Sequence, residues 1–173
     1  NVCATAAARA DGMMSHCTDA GGWRFAGNNN WTATLKPDSR GRRFACEKIC
    51  DPAVTLDVEF THGNEGINPP VPFTPESYLA RWNEKGLFDL AWRDSEDEAI
   101  FTSPLGVVAR EPFKAAEFRF KSGKPSVAPY ERLIAITFAR DQLYIFKFTS
   151  AIGGLDRNRE RIVALLRSVE VSK

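Results

Sequence analysis

AITFARDQLYIFKFTS, residues 135 to 150, is the stretch whose reading decides the fold. Ahead of it and through it, Tyr130 to Phe138 puts Ile134, Ile136 and Phe138 on one side. Asp141-Gln142 supplies a two-residue turn, and Leu143 to Phe148 then carries apolar residues on both faces. A strand that is apolar on both faces is one covered from both sides, so the stretch predicts a hairpin at the centre of a sheet. Working outward, Ala116, Phe118 and Phe120 alternate with Glu117, Arg119 and Lys121. Val54, Leu56, Val58 and Phe60 alternate with Thr55, Asp57 and Glu59. Both patterns have the period of two that marks half-buried strands.

Residues 43–46 add a short strand. Gly27-Asn28-Asn29-Asn30 separates Trp23-Arg24-Phe25 from Trp31–Leu35; Asn and Gly tolerate positive φ, so the segment predicts a hairpin. Lys36 to Gly41 is a second turn, and His62 to Pro72, rich in Pro and Gly, is a loop. Thr74-Pro75-Glu76 starts a helix, with Thr as N-cap, Pro at the first helical position and an acid in the first turn. Tyr78, Leu79 and Trp82 share one face of it, and Gly86 supplies the stop. Gly153-Gly154 breaks the sheet before a second helix, where Leu155, Ile162, Leu166 and Val169 lie opposite Arg157, Arg161 and Arg167. The expectation is a single α+β domain over residues 23–173: an antiparallel sheet flanked by two amphipathic helices. Residues 1–22, small and polar, read as an irregular arm.

The 173 residues fit one domain. Hydrophobic residues are 43% and charged residues 26%, the balance of an ordinary globular protein. With 23 basic and 22 acidic side chains the net charge is +1, so no global field draws nucleic acid or an anionic membrane. No apolar run approaches the roughly 18 residues of a spanning helix. The start at Asn1, with Ala4 to Ala8 behind it, reads as a mature N-terminus. Neither the dinucleotide nor the Walker glycine pattern occurs.

Four cysteines fall in two local pairs. An even count in an exported protein points to disulfides, with sequence-local pairing, Cys3–Cys17 and Cys46–Cys50, favoured among three connectivities. Asp51-Pro52 makes a turn behind Cys50, which suits the Cα separation a bridge needs. Zinc is the alternative, with Cys46, Cys50, His16 and Cys17 as ligands; free thiols are the third possibility. Three residues between Cys46 and Cys50 exclude the haem and thioredoxin-type spacings.

The hairpin stretch, followed by LDRNRERIVALLRSVEV (residues 155–171), resembles the end of the Mog1/PsbP-like superfamily, where long central strands lead into a terminal helix. Trp23–Leu35 and the helix from Thr74 fall in that family's order, so the resemblance covers about residues 22 to 171. It implies a PsbP/Mog1-like sandwich and a non-enzymatic binding or accessory role, as in photosystem assembly factors, a GTPase-binding nuclear protein, bacterial envelope proteins and adaptor chaperones. It transfers no site residues. The cysteine-bearing arm and Cys46–Cys50 depart from the family's usual pattern.

Candidate chemistry is sparse. His16 and His62 are the only histidines; His62, after Asp57 and Glu59, is the residue a hydrolase-type site would use. The Gly-x-Ser-x-Gly elbow is absent. Asp94-Ser95-Glu96-Asp97-Glu98 lacks the EF-hand spacing and reads as a solvated loop or, through Asp94, Glu96 and Asp97, a patch for a basic partner. Arg40, Arg42 and Arg43 lack the interleaved aromatics of a nucleic-acid stripe. Pro69 to Phe73 either presents Val71 and Phe73 or lays Phe73 against the Thr74 helix as a staple. Asn29 and Trp31 in the Gly27–Trp31 turn are the other candidate contacts; Asn30-Trp31-Thr32 is also a sequon. The expectation is therefore a periplasmic or secreted, non-enzymatic protein-binding module with no cofactor and no metal. Its partner would be another protein of the cell envelope or extracellular space. A small-ligand or lipid-binding module, motivated by 12 Phe and 4 Trp, and an enzyme using His62 are the alternatives.

Overall fold

The computed structural model describes residues 13–18, 21–34, 41–62, 74–82, 113–120, 128–140 and 142–172. In chain order the elements are β1 (Met13–Thr18), β2 (Gly21–Ala26), β3 (Thr32–Thr34), β4 (Gly41–Cys46), β5 (Val54–His62) and α1 (Pro75–Trp82). Then follow β6 (Lys114–Phe120), β7 (Tyr130–Ala139), β8 (Gln142–Ala151), α2 (Gly154–Arg157), α3 (Arg159–Ser168) and β9 (Glu170–Val171). The strands form two antiparallel sheets instead of the one expected: β1-β2-β9, and the six-stranded β3-β4-β5-β8-β7-β6.

β7 and β8 lie in the interior of the larger sheet and pair from Tyr130↔Ala151 to Ala139↔Gln142. Gln142 is thus already in β8, and Arg140, with φ 51°, makes the turn one residue earlier than expected. On one face Leu133, Ala135, Tyr144, Phe146 and Phe148 join Phe44, Val54, Leu56 and Val58 in the main core. Trp23 and Phe25 from the small sheet, and Leu155, Ile162, Leu165 and Leu166 from α2 and α3, close over them. Trp23 and Phe25 stack at 5.5 Å, and Phe44 meets both rings edge-on at 5.9 and 5.1 Å, an arrangement the ring quadrupoles favour. On the other face Ile134, Ile136, Leu143 and Ile145 pack with Phe118 and with Tyr78 of α1. Apolar residues on both faces of β8 answer to these two layers.

Three further expectations change. Residues 13–18, placed in an irregular arm, form β1, because the Gly21-Gly22 segment that follows is itself strand and folds Met13–Thr18 back along β2. Gly27–Asn30 is a tight turn, with Asn28 and Asn29 at φ 50° and 60° and Asn30 N–H bonded to Gly27 O, but it joins no hairpin. β2 pairs with β1 and β9 while β3 pairs with β4; the chain crosses between sheets here because Trp31 turns into the core against Phe148 at 5.8 Å. The terminal helix is broken at Asn158, whose side chain bonds the carbonyls of Gly154 and Pro52.

α1 begins as expected. Ser77 N–H donates to Thr74 Oγ1 and Thr74 N–H donates to Ser77 Oγ, a reciprocal cap. Its expected stop at Gly86 lies outside the described residues.

Candidate functional site

The β4–β5, β8–α2 and β2–β3 connections lie at one end of the larger sheet. Thr32 pairs with Ala45, Cys46 with Val54, and Val54 with Ser150. Cys46 and Cys50 are joined by a disulfide across a Cα–Cα separation of 5.5 Å, and both are buried in the main core. Their sulfurs bond each other, which removes the zinc alternative. Cys17 is disulfide-bonded as well; Cys3 lies outside the described residues, so the proposed Cys3–Cys17 pairing is left as an expectation.

The clamp makes a rigid loop. The Asp51-Pro52 peptide is cis. Asn158 Nδ2 donates to Pro52 O at 3.0 Å and Ser150 Oγ donates to Ala53 O at 3.0 Å, tying residues 52–53 to the end of β8 and to the α2–α3 junction. On this scaffold two large apolar side chains face solvent: Ile49, 46% exposed, inside the disulfide loop, and Ile152, 43% exposed, in the turn. Glu47, Lys48, Asp51 and Arg157 are exposed around them. The register brings the exposed Asn28 and Asn29 to the same end.

Where β6 and β7 reach this end, a cavity of about 220 Å³ opens between the sheet edge and α2–α3. Glu117, Arg119, Glu131, Asp156 and Arg159 line it with Phe118 and Leu155. Arg159 Nη2 binds both Glu117 and Asp156. Burial opposes its charge, but those two carboxylates hold the guanidinium above its ordinary value. Arg119 reaches Glu131 at 3.5 Å, and Leu155 N–H donates to the other oxygen of Glu131 at 3.4 Å.

A second charged group lies on the α1 face. Arg43 grips Asp57 through two bonds of 2.7 and 3.3 Å, and Lys147 reaches Glu59 at 3.4 Å. Arg132 donates to Thr149 Oγ1 and lies 5.6 Å from the Tyr130 ring. Burial pulls the Lys147 ammonium down, yet Tyr78 and Glu59 outweigh it and the pKa is raised. These charges are matched across neighbouring strands, as cross-strand pairs that stabilise a sheet.

Of the sequence candidates, Asn29 is exposed at the loop end. Trp31 is a correction: at 2% exposure it is core, because its ring replaces water with Phe148. Val71, Phe73, Asp94, Glu96 and Asp97 lie outside the described residues. His62 closes β5 opposite Gln142; its side chain lies outside the described residues, so the enzyme alternative is untested. Ile49, Ile152 and the cavity residues were not singled out from sequence. Ile49, between two cysteines of a clamped loop, carried a usable signal, whereas Glu117, Glu131 and Asp156 come from three elements and carried none.

No helix among the described residues is long and apolar enough to cross a membrane. No protein-family model matches the chain, and no curated protein matches it. Among solved structures it is similar to the solution structure of cyanobacterial PsbP (CyanoP) from Synechocystis sp. PCC 6803, with TM-score 0.56, 16% identity, and 93% of each chain covered. A crystal structure from Bacteroides thetaiotaomicron VPI-5482 aligns with TM-score 0.47 and 12% identity, over 89% of this chain and 46% of that one. The alignment spans nearly the whole length of both chains: the chain has a PsbP/Mog1-like fold.

Proposed function

We propose that the protein is an exported, non-enzymatic accessory module that binds another protein through the loop end of its larger sheet. The observation that carries this is the pair of exposed isoleucines, Ile49 and Ile152, on loops fixed by a disulfide and two side-chain hydrogen bonds. Apolar side chains held out on a rigid scaffold lose little entropy on docking, and recognition residues are commonly placed on such loops. The PsbP-like fold supports an accessory role. Disulfide-bonded cysteines support a periplasmic or secreted location, since such bonds persist in oxidising compartments.

The test is quantitative capture from envelope or culture fractions with wild-type protein and an Ile49→Asp/Ile152→Asp variant. One protein enriched at near-stoichiometric amounts by the wild type, and depleted about 10-fold or more by the variant, is expected, since anchor residues of an interface carry ≥ 2 kcal/mol each. Both side chains are exposed, so the variant's thermal midpoint should stay close to wild type. Equal capture by both proteins would reject the surface. A stoichiometric small molecule in native mass spectra would favour the ligand-binding reading.

A further inference from the structure

The cavity at the edge of β6 holds a carboxylate that its neighbours satisfy poorly. Glu131 has a side-chain exposure of 10%, and its two contacts are 3.5 Å to Arg119 and 3.4 Å to the Leu155 N–H. Charge-assisted bonds are normally about 2.7–2.9 Å. A carboxylate has roughly four acceptor positions, so this one retains capacity for a strong donor entering through the cavity. Arg159 is already committed to Glu117 and Asp156. Three carboxylates against two guanidiniums leave the lining one charge negative. Leu155 adds an apolar contact beside the acids.

We propose that this cavity is an ammonium pocket that receives a lysine side chain of the partner protein; the assignment rests on the protein-binding reading above. A lysine combines an aliphatic stem, which suits the apolar contact at Leu155, with a compact head of three N–H donors aimed at Glu131. A guanidinium would instead bring a broad planar fork between Arg119 and Arg159. The pocket opens at the same end of the sheet as Ile49 and Ile152, so apolar anchors and an ion-paired lysine would belong to one interface.

The test is titration of N-acetyl-lysine methylamide into ¹⁵N-labelled protein at low salt, followed by amide shifts. Saturable shifts confined to residues 117, 131 and 155–159 are expected. Glu131→Gln, which keeps size and removes charge, should weaken binding about 10-fold, the scale of a lost charge-assisted bond, while its spectrum stays dispersed. Should that variant fail to fold, Asp156→Asn, at an exposed position, should weaken binding in its place. Capped norleucine should give no saturable shift. Absence of saturation with the lysine probe, an equal response to norleucine, or unchanged affinity in the carboxamide variants would overturn the pocket. A free diamine binding 10-fold tighter than capped lysine would overturn the partner's lysine as its occupant. No partner is present in this titration, so its failure leaves the isoleucine surface to stand or fall on its own test.

Discussion

At Gly154 an added Cβ would lie 1.8 Å from Ser150 Oγ and 2.7 Å from Ser150 Cβ, with Pro52 Cγ at 3.4 Å. The glycine is what lets α2 start directly against the end of β8. Gly154→Ala should destabilise by about 2–3 kcal/mol, the upper range for overpacking a filled site, read as a lower urea midpoint with unchanged slope. Asn158, 2% exposed, offers the matching case in polar terms, since it holds two carbonyls at once. Asn158→Leu should cost about 2 kcal/mol by removing both of these side-chain hydrogen bonds, and it should raise hydrogen exchange in the loop at residues 51–53. The need for glycine at 154 was visible in the sequence only as a break in the pattern. Its reason, the Ser150 side chain, appears once β8 and α2 are folded together.

At the level of elements, Cys46–Cys50 closes a very short loop, so the cross-link removes little unfolded-state entropy. Cys46→Ala/Cys50→Ala should lose about 2 kcal/mol by the loop-entropy relation, and the central strands should remain folded because their core is larger than the clamp. Guanidinium unfolding of the two proteins measures this. The small sheet responds to pH through His16. Its Nδ1 lies 3.4 Å from Arg42 Nε and 3.3 Å from Arg42 Nη2, so β1 meets β4 through this pair. Burial first, and then the Arg42 charge, hold His16 below its ordinary value of 6.5. The unfolded chain therefore binds the proton more readily, and the stabilisation is present above 6.5 and lost as pH falls through the lower folded value. The denaturant midpoint should drop on acidification through that range, and less steeply in His16→Gln, which keeps His62 as an internal control. β5, β7 and β8 were legible because an alternating or doubly apolar pattern reports burial directly. β1 was not: Met13 to Thr18 has no clean alternation, and what makes it a strand is its neighbour β2.

For the whole molecule, the α+β class and the central place of β8 were legible from side-chain period. The division into two sheets was not, since it depends on Trp31 leaving one sheet for the core and on β9 returning to β2. The cavity was equally hidden, because Glu117, Glu131 and Asp156 meet only after β6, β7 and α2 have assembled. Intact mass before and after reduction checks the covalent frame. Alkylation without reductant should add no mass, and alkylation after reduction should add four groups, since no cysteine among the described residues is free.

The return of the chain to β2 sets an order of events during synthesis. Arg24 pairs with Glu170 across 146 residues, Ala26 N–H donates to Ser168 Oγ, and Ser172 N–H donates to Gly22 O. Trp23 and Phe25 are then sealed over the aromatic core by a segment the ribosome makes long after them. Until residues 168–172 have emerged, that side of the nascent chain stays open, and a loop of this length closes late. A chain released after ending before residue 168 should be cleaved by protease next to Trp23, and one released with residue 172 included should resist it.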